Sequence, residues 1–165
     1  MAVIPAPATF VAGTAPTDAN LNSLRDGINF LLNPPRVLLT NSALQSVPSG
    51  VSTVLTFDTE TYDTDAMHST VTNPDRITTV TAGLYTVSLS APTQFSSAGP
   101  ARQMRVHQNG AIFAYAGPTS TLTLDVPCVA GDYLQFVVYQ NSGVALSYGG
   151  GGVDSAHFCA RRVSA

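Results

Sequence analysis

The apolar residues of this chain change their period once, near position 35. Before it, Leu21, Leu24, Ile28 and Leu31 fall at spacings of three, four and three. Such spacing aligns all four on one stripe of a helix. The stretch 17–35, TDANLNSLRDGINFLLNPP, therefore predicts one short helix near 18–32. Thr17 or Asp18 can cap its start, and Asn33-Pro34-Pro35 stops it. The stripe has the a/d form of a coiled coil but lasts only two heptads, where a stable coiled coil needs three or more. It fits a neck shared by several chains in front of a β domain that itself assembles. Gly27 costs this helix about 1 kcal/mol relative to Ala. It either lets helices approach closely or is simply tolerated.

After Pro35 the period is two. Short strands are predicted at 37–40, 51–57, 76–79, 84–91, 103–108, 111–115, 121–126, 133–140 and 157–163. In 84–91, Tyr85, Val87 and Leu89 alternate with Thr86, Ser88 and Ser90. Asn109-Gly110 is the strongest hairpin signal in the chain. The run 133–140, YLQFVVYQ, is apolar on both faces, which predicts a central strand or one at an interface. With no second helix and no internal repeat, this order predicts an all-β fold. It would be an antiparallel jelly-roll sandwich over 36–165, preceded by an extended arm at 1–16 and a helix or neck at 17–35. The four glycines at 149–152 read as a flexible loop.

The arm holds three prolines and no periodic pattern. An ordered arm of that composition needs a surface to lie on, and a neighbouring subunit is the simplest. Composition points the same way. Charged residues make up 10% of the chain, with no Lys and no Trp, against about a quarter in ordinary soluble domains. A surface so poor in charge suits burial against neighbours, although source-genome bias explains it equally well. A net charge of −3 without a basic run argues against nucleic-acid backbones as partners. No stretch approaches the roughly 20 apolar residues of a membrane span. The first ten residues lack a basic start and a long apolar run, so the chain reads as one used without secretion.

Candidate chemistry is sparse. Asp58, Glu60, Asp63 and Asp65 crowd one segment, with His68 and Asp75 nearby. Clustered carboxylates suit a hard cation, which makes them a weak calcium candidate. The EF-hand spacing is absent, and solvated acids of a loop, two of them alternating along a strand end and facing solvent, are the plainer reading. His68 is expected to bond within its own loop. No nucleophile elbow, phosphate loop or paired-histidine motif occurs, so neither catalysis nor a cofactor is expected. Cys128 and Cys159 are read as buried free thiols. The aromatic residues Phe113, Tyr133, Phe136 and Tyr139 are expected in the core or at a subunit interface, with sugar binding the sharper alternative. Arg161-Arg162 in the last strand puts one guanidinium on each face; one either pairs with an acid of its own or a neighbouring chain or stays exposed.

The β region resembles a known family. VLTFDTETY at 54–62 precedes ITTVTAGLYTVSL at 77–89, then Asn109-Gly110, then VAGDYLQFVVY at 129–139, then a last strand with Phe158. This order is similar to the tumour-necrosis-factor-like jelly roll of complement globular heads. There a G-x-Y-x-V strand and an x-x-G-D-x-L-x-F strand recur. The front segment DANLNSLRDGINFLLNPP, with YDTDAMHS and TNPDRIT, resembles small minor tail and related virion proteins of actinobacterial tailed phages. Together the resemblances imply a homotrimeric, non-enzymatic virion protein assembled in the host cytoplasm. It would be of minor tail or fibre type, attached to other virion proteins through arm and helix. Its distal loops could bind a host-surface glycan. The alternative is a capsid decoration protein that cements the phage head. The expected trimer contacts are Leu21, Leu24, Ile28 and Leu31 of the helix and Tyr133, Phe136 and Val138 of the two-sided strand.

Overall fold

A computed structural model describes residues 6, 8–90, 102–117, 121–150 and 155–164. Its elements are α1 (Asp18–Leu32), β1 (Arg36–Thr40), β2 (Gln45–Val47), β3 (Thr53–Val54), β4 (Thr59–Asp63), β5 (Ile77–Thr78) and β6 (Gly83–Ser90), followed by β7 (Arg102–Gln108), β8 (Ala111–Ala116), β9 (Thr121–Cys128), β10 (Tyr133–Gln140), β11 (Leu146–Tyr148) and β12 (His157–Ser164).

Thr17 caps α1. Its hydroxyl accepts from the Asn20 amide at 3.2 Å, while the Asn20 side chain accepts from the Thr17 amide at 2.9 Å. This reciprocal pair satisfies donors that a helix start leaves open. Asn33 ends the helix by donating its amide to the Asn29 carbonyl, and Pro34-Pro35 cannot continue it.

The strands form the expected antiparallel jelly-roll sandwich. One sheet runs β4-β1-β12-β6-β9 and the other β3-β10-β7-β8, with β5 also on β10 and β11 paired to β2. In β6, Tyr85, Val87 and Leu89 are buried while Thr86 and Ser88 face outward. Those outward residues bond across to β9, Thr86 to Asp125 at 2.7 Å and Ser88 to Thr123 at 2.9 Å. Between the sheets, Phe57, Phe136, Phe158 and Tyr148 pack at centroid distances of 5.6 to 6.4 Å, Phe57 stacked on Phe136 and both Tyr148 and Phe158 edge-on to Phe136. Pro127 lies within β9, an edge strand, where a missing amide costs no ladder bond.

The Asn109-Gly110 turn has φ of +53° and +81°, and it joins β7 to β8. Asp132 braces it from the β9–β10 turn. The Asp132 carboxylate accepts from the Asn109 side chain at 2.8 Å, from the Val129 amide at 2.9 Å and from the Gln108 side chain at 3.1 Å. These donors, Asn109 first, hold its pKa below the usual carboxylate value. The sign follows. A depressed folded-state pKa adds stability above the unfolded value of about 3.9. That stability is lost as pH falls through the folded pKa. Asp132→Asn is therefore expected to lower the melting temperature at pH 7, with the gap to wild type closing below about pH 4. Thermal melts across pH 2–7 check it, and a gap independent of pH counts against it.

Three expectations at the strand level change. Of 51–57, only Thr53–Val54 pairs in a ladder; the Leu55 and Phe57 amides reach the Phe136 and Pro74 carbonyls instead. The acidic stretch is more strand than loop: Glu60 and Asp63 lie in β4, the two acids expected along a strand end, while Asp58 and Asp65 flank it. This strand lies at a sheet edge with side chains largely exposed, so it carries no apolar alternation. The glycine run is not open at its start. Gly149 is buried, and a Cβ there would meet the Asn41 amide nitrogen at 2.5 Å. Residues 151–154 lie outside the described part.

Candidate assembly site

The helix lies at the sandwich end where β1 begins and β12 finishes. Its half-buried stripe is Ser23, Gly27 and Phe30. The Ser23 hydroxyl donates to the Ala6 carbonyl at 2.5 Å, and the Asn20 side chain to the Thr9 carbonyl at 2.7 Å. The described part of the arm thus bonds to its own helix. Residues 1–5 and 7 are outside the described part.

The neighbouring stripe is the a/d seam, and it stays exposed among the described residues. Leu21, Leu24, Ile28 and Leu31 keep 53, 44, 55 and 77% of their surface exposed. No residue of the helix is buried. A 15-residue helix is marginal in water on its own, and its stability comes from packing an apolar face. Here that face has no partner among the described residues.

Between this seam, Ala6 and Ala8 of the arm, and the end of β12 runs an apolar groove of about 800 Å³. Arg162 lies in its wall with 6% of its surface exposed, whereas Arg161 is exposed. The Arg162 Nε donates to the Ala82 carbonyl at 2.9 Å, and the guanidinium carbon sits 4.9 Å from the Phe30 ring centre. Its Nη2 is buried and has no hydrogen-bond partner. Gly83 makes room for it, since a Cβ there would lie 2.5 Å from the Arg162 Nε. Deeper in, burial and then the Asp65 carboxylate push the Tyr85 hydroxyl up to about 12, opposed by Arg162.

A second uncovered apolar surface is β8. It is an edge strand, and Ile112, Phe113 and Tyr115 are all exposed on it. Unpaired, uncharged apolar edges invite pairing with another chain, and native proteins cover or blunt them.

The strand expected at a subunit interface behaves differently. Phe136 and Val138 of β10 are fully covered inside the sandwich. They belong to the core of the subunit and leave no surface for a neighbour. The outer face of β10 is covered by its own chain as well. Gln135 donates to Asp75 at 2.6 Å, and Arg105 lies over Tyr139 at 4.7 Å while bonding Ser52. Half-buried Tyr133 sits under Arg76 at 4.4 Å. The two-sided apolar pattern therefore marks a central strand, paired to β3, β5 and β7.

The carboxylates of the calcium candidate do not converge. Asp58 accepts from the Ser42 hydroxyl and from its amide at 2.9 Å, and the hydroxyl above all holds its pKa down. Glu60 lies 2.8 Å from the His68 Nδ1. Asp63 accepts from the Asp65 and His68 amides at 3.1 and 2.9 Å. Asp65 is buried and accepts from the Thr81 hydroxyl at 2.9 Å. Each acid has its own donor, and among the described residues no three metal-ligating side chains group together. His68 does bond within its own loop. Its Nε2 faces the Pro74 carbonyl, so neither ring nitrogen is left for a nucleophile. Cys128 and Cys159 are free thiols. Burial, and then Asp132, pushes Cys128 up to about 11, where little reactive thiolate forms at neutral pH.

Sequence reasoning found the helix seam, the strand at 111–115 and Phe113 as a core or interface residue, but did not single out Ile112 and Tyr115 beside it. The signal of β8 was AIFAYA following Asn-Gly, six apolar residues with no charge and no alternation.

No protein-family model matches the sequence, and no curated protein does. Solved structures do match. The globular domain of zebrafish complement 1qA protein superposes with a TM-score of 0.51 at 14% identity, covering 78% of this chain and 96% of that one. Murine APRIL superposes with a TM-score of 0.53 at 10% identity, covering 78% and 98%. The fold of this chain is the antiparallel jelly roll shared by complement globular heads and tumour-necrosis-factor-like proteins.

Proposed function

We propose that this chain is a non-enzymatic structural subunit of a tailed-phage virion, assembled as a homotrimer and attached through residues 1–16 and α1. One observation carries the assembly: the helix seam and the β8 edge are both apolar, and both lack cover among the described residues. Closed rings of identical copies bury such surfaces without leaving an open end. The fold supports three copies through its likeness to complement heads, and the front segment supports the virion through its likeness to minor tail proteins. The chemistry is consistent. The acids are each held by separate donors, His68 is occupied, and Cys128 is kept protonated.

Host-surface glycan binding is expected of the distal loops; residues 91–101, 118–120 and 151–154 lie outside the described part.

Deletion of residues 1–16 tests the attachment. The shortened chain is expected to fold and trimerise yet fail to join virions produced in its presence. Normal incorporation would move attachment to the jelly-roll surface. Light scattering of the whole chain tests assembly independently, and a stable monomer at micromolar concentration rules the trimer out.

A further inference from the structure

We propose that Arg162 is an inter-subunit contact: a second copy of α1 lies in the groove, and the carbonyls of its last turn accept from the Arg162 guanidinium. This rests on the trimer reading and adds the residues that make it specific. Three observations lead to it. A guanidinium has five donor hydrogens, yet Arg162 makes one hydrogen bond, to Ala82, and its buried Nη2 has no acceptor. A buried charge left this way is costly unless something completes it. The groove it lines is continuous with the seam, since Leu24, Ile28 and Leu31 belong to both. Charge complementarity then selects the occupant. The end of α1 has no basic residue in its last turn, and the Phe30, Leu31 and Leu32 carbonyls lie beyond reach of the helix's own donors. Such an end carries about half a negative charge.

Copies related by an axis along the helix share one height. Arg162 lies beside its own Phe30, so it stands level with the last turn of the neighbouring α1. Parallel helix ends would otherwise repel one another, and Arg162 from each copy offsets this. Gly27 has the same meaning. Although Gly27 is half-buried, a Cβ there would meet no other described residue within 4 Å, so room remains beside it. It leaves space for a neighbouring helix.

The test compares the full-length wild type with Arg162→Met and Gly27→Ala, by light scattering through a dilution series and by thermal melting of the dilute subunit. Met keeps much of the stem and removes the charge. Arg162→Met is expected to weaken association about tenfold or more while leaving the subunit melt unchanged or raised. Gly27→Ala, which favours the isolated helix, is expected to weaken association as well. A wild-type trimer with both variants assembling normally overturns the Arg162 contact and leaves the trimer standing. Tighter association of Gly27→Ala also overturns it, because helix propensity alone would then decide. A monomeric wild type removes the trimer reading and this contact with it.

Discussion

Replacing Phe136 with Ala is expected to cost the subunit about 3–5 kcal/mol. Phe136 is fully buried and touches three other rings: Phe57 at 6.4 Å, Phe158 at 6.1 Å and Tyr148 at 5.9 Å between centroids. These rings come from both sheets and from the segments that connect them, so they cannot all close over the vacated space. The lost transfer energy and the cavity therefore add. The whole stability of a domain of this size is about 5–15 kcal/mol, so the variant should sit close to unfolding. Phe136→Asp should not fold at all, since a carboxylate there would have no partner. Urea unfolding of the dilute subunit measures the first, and loss of the far-ultraviolet strand signal reports the second. The result that would contradict the core assignment is a Phe136→Ala subunit that melts like wild type but no longer self-associates.

That distinction was the main thing the sequence left open. The run YLQFVVYQ is apolar on both faces, and a strand with that pattern is either central or covered by another chain. Period alone cannot separate the two. What decides is covering contributed from far along the chain: Asp75 and Ser52 reach the outer face of β10 through Gln135 and Arg105. The same limit explains β4. Glu60 and Asp63 sit on an edge strand, and edge strands need no apolar alternation, so TETYD signalled a strand end through its alternating acids but not a full strand. Where local chemistry suffices, the reading was close. Helix α1 runs over 18–32 because its cap and its Pro-Pro stop are both local. The Asn-Gly turn has both residues at positive φ for the same reason. For the assembly site, the seam was legible as spacing. The burial of Arg162 was not, because it depends on Gly83 and Ala82 of a distant turn.

Ile112→Asp is expected to abolish self-association while leaving the subunit folded. Ile112 lies on the edge strand β8, opposite His107, and keeps 55% of its surface exposed in the single chain. A charge at an exposed position usually shifts stability by no more than about 0.5 kcal/mol. The dilute variant should therefore melt near wild type. In the assembly each copy would bury that carboxylate against apolar surface, at about 1–3 kcal/mol or more. With three copies the penalties add, and every 1.4 kcal/mol is about tenfold in association. A monomer at concentrations where wild type is trimeric is the expected light-scattering result. The outcome also ranks the two uncovered surfaces. If Ile112→Asp gives monomers and Arg162→Met only weakens the trimer, β8 supplies most of the contact and the helix adds register. If Ile112→Asp stays trimeric with an unchanged midpoint, β8 faces solvent or another virion protein, and the seam of α1 has to hold the copies together. A two-heptad seam is too short for that alone, so this outcome would shift the weight of assembly onto the Arg162 groove.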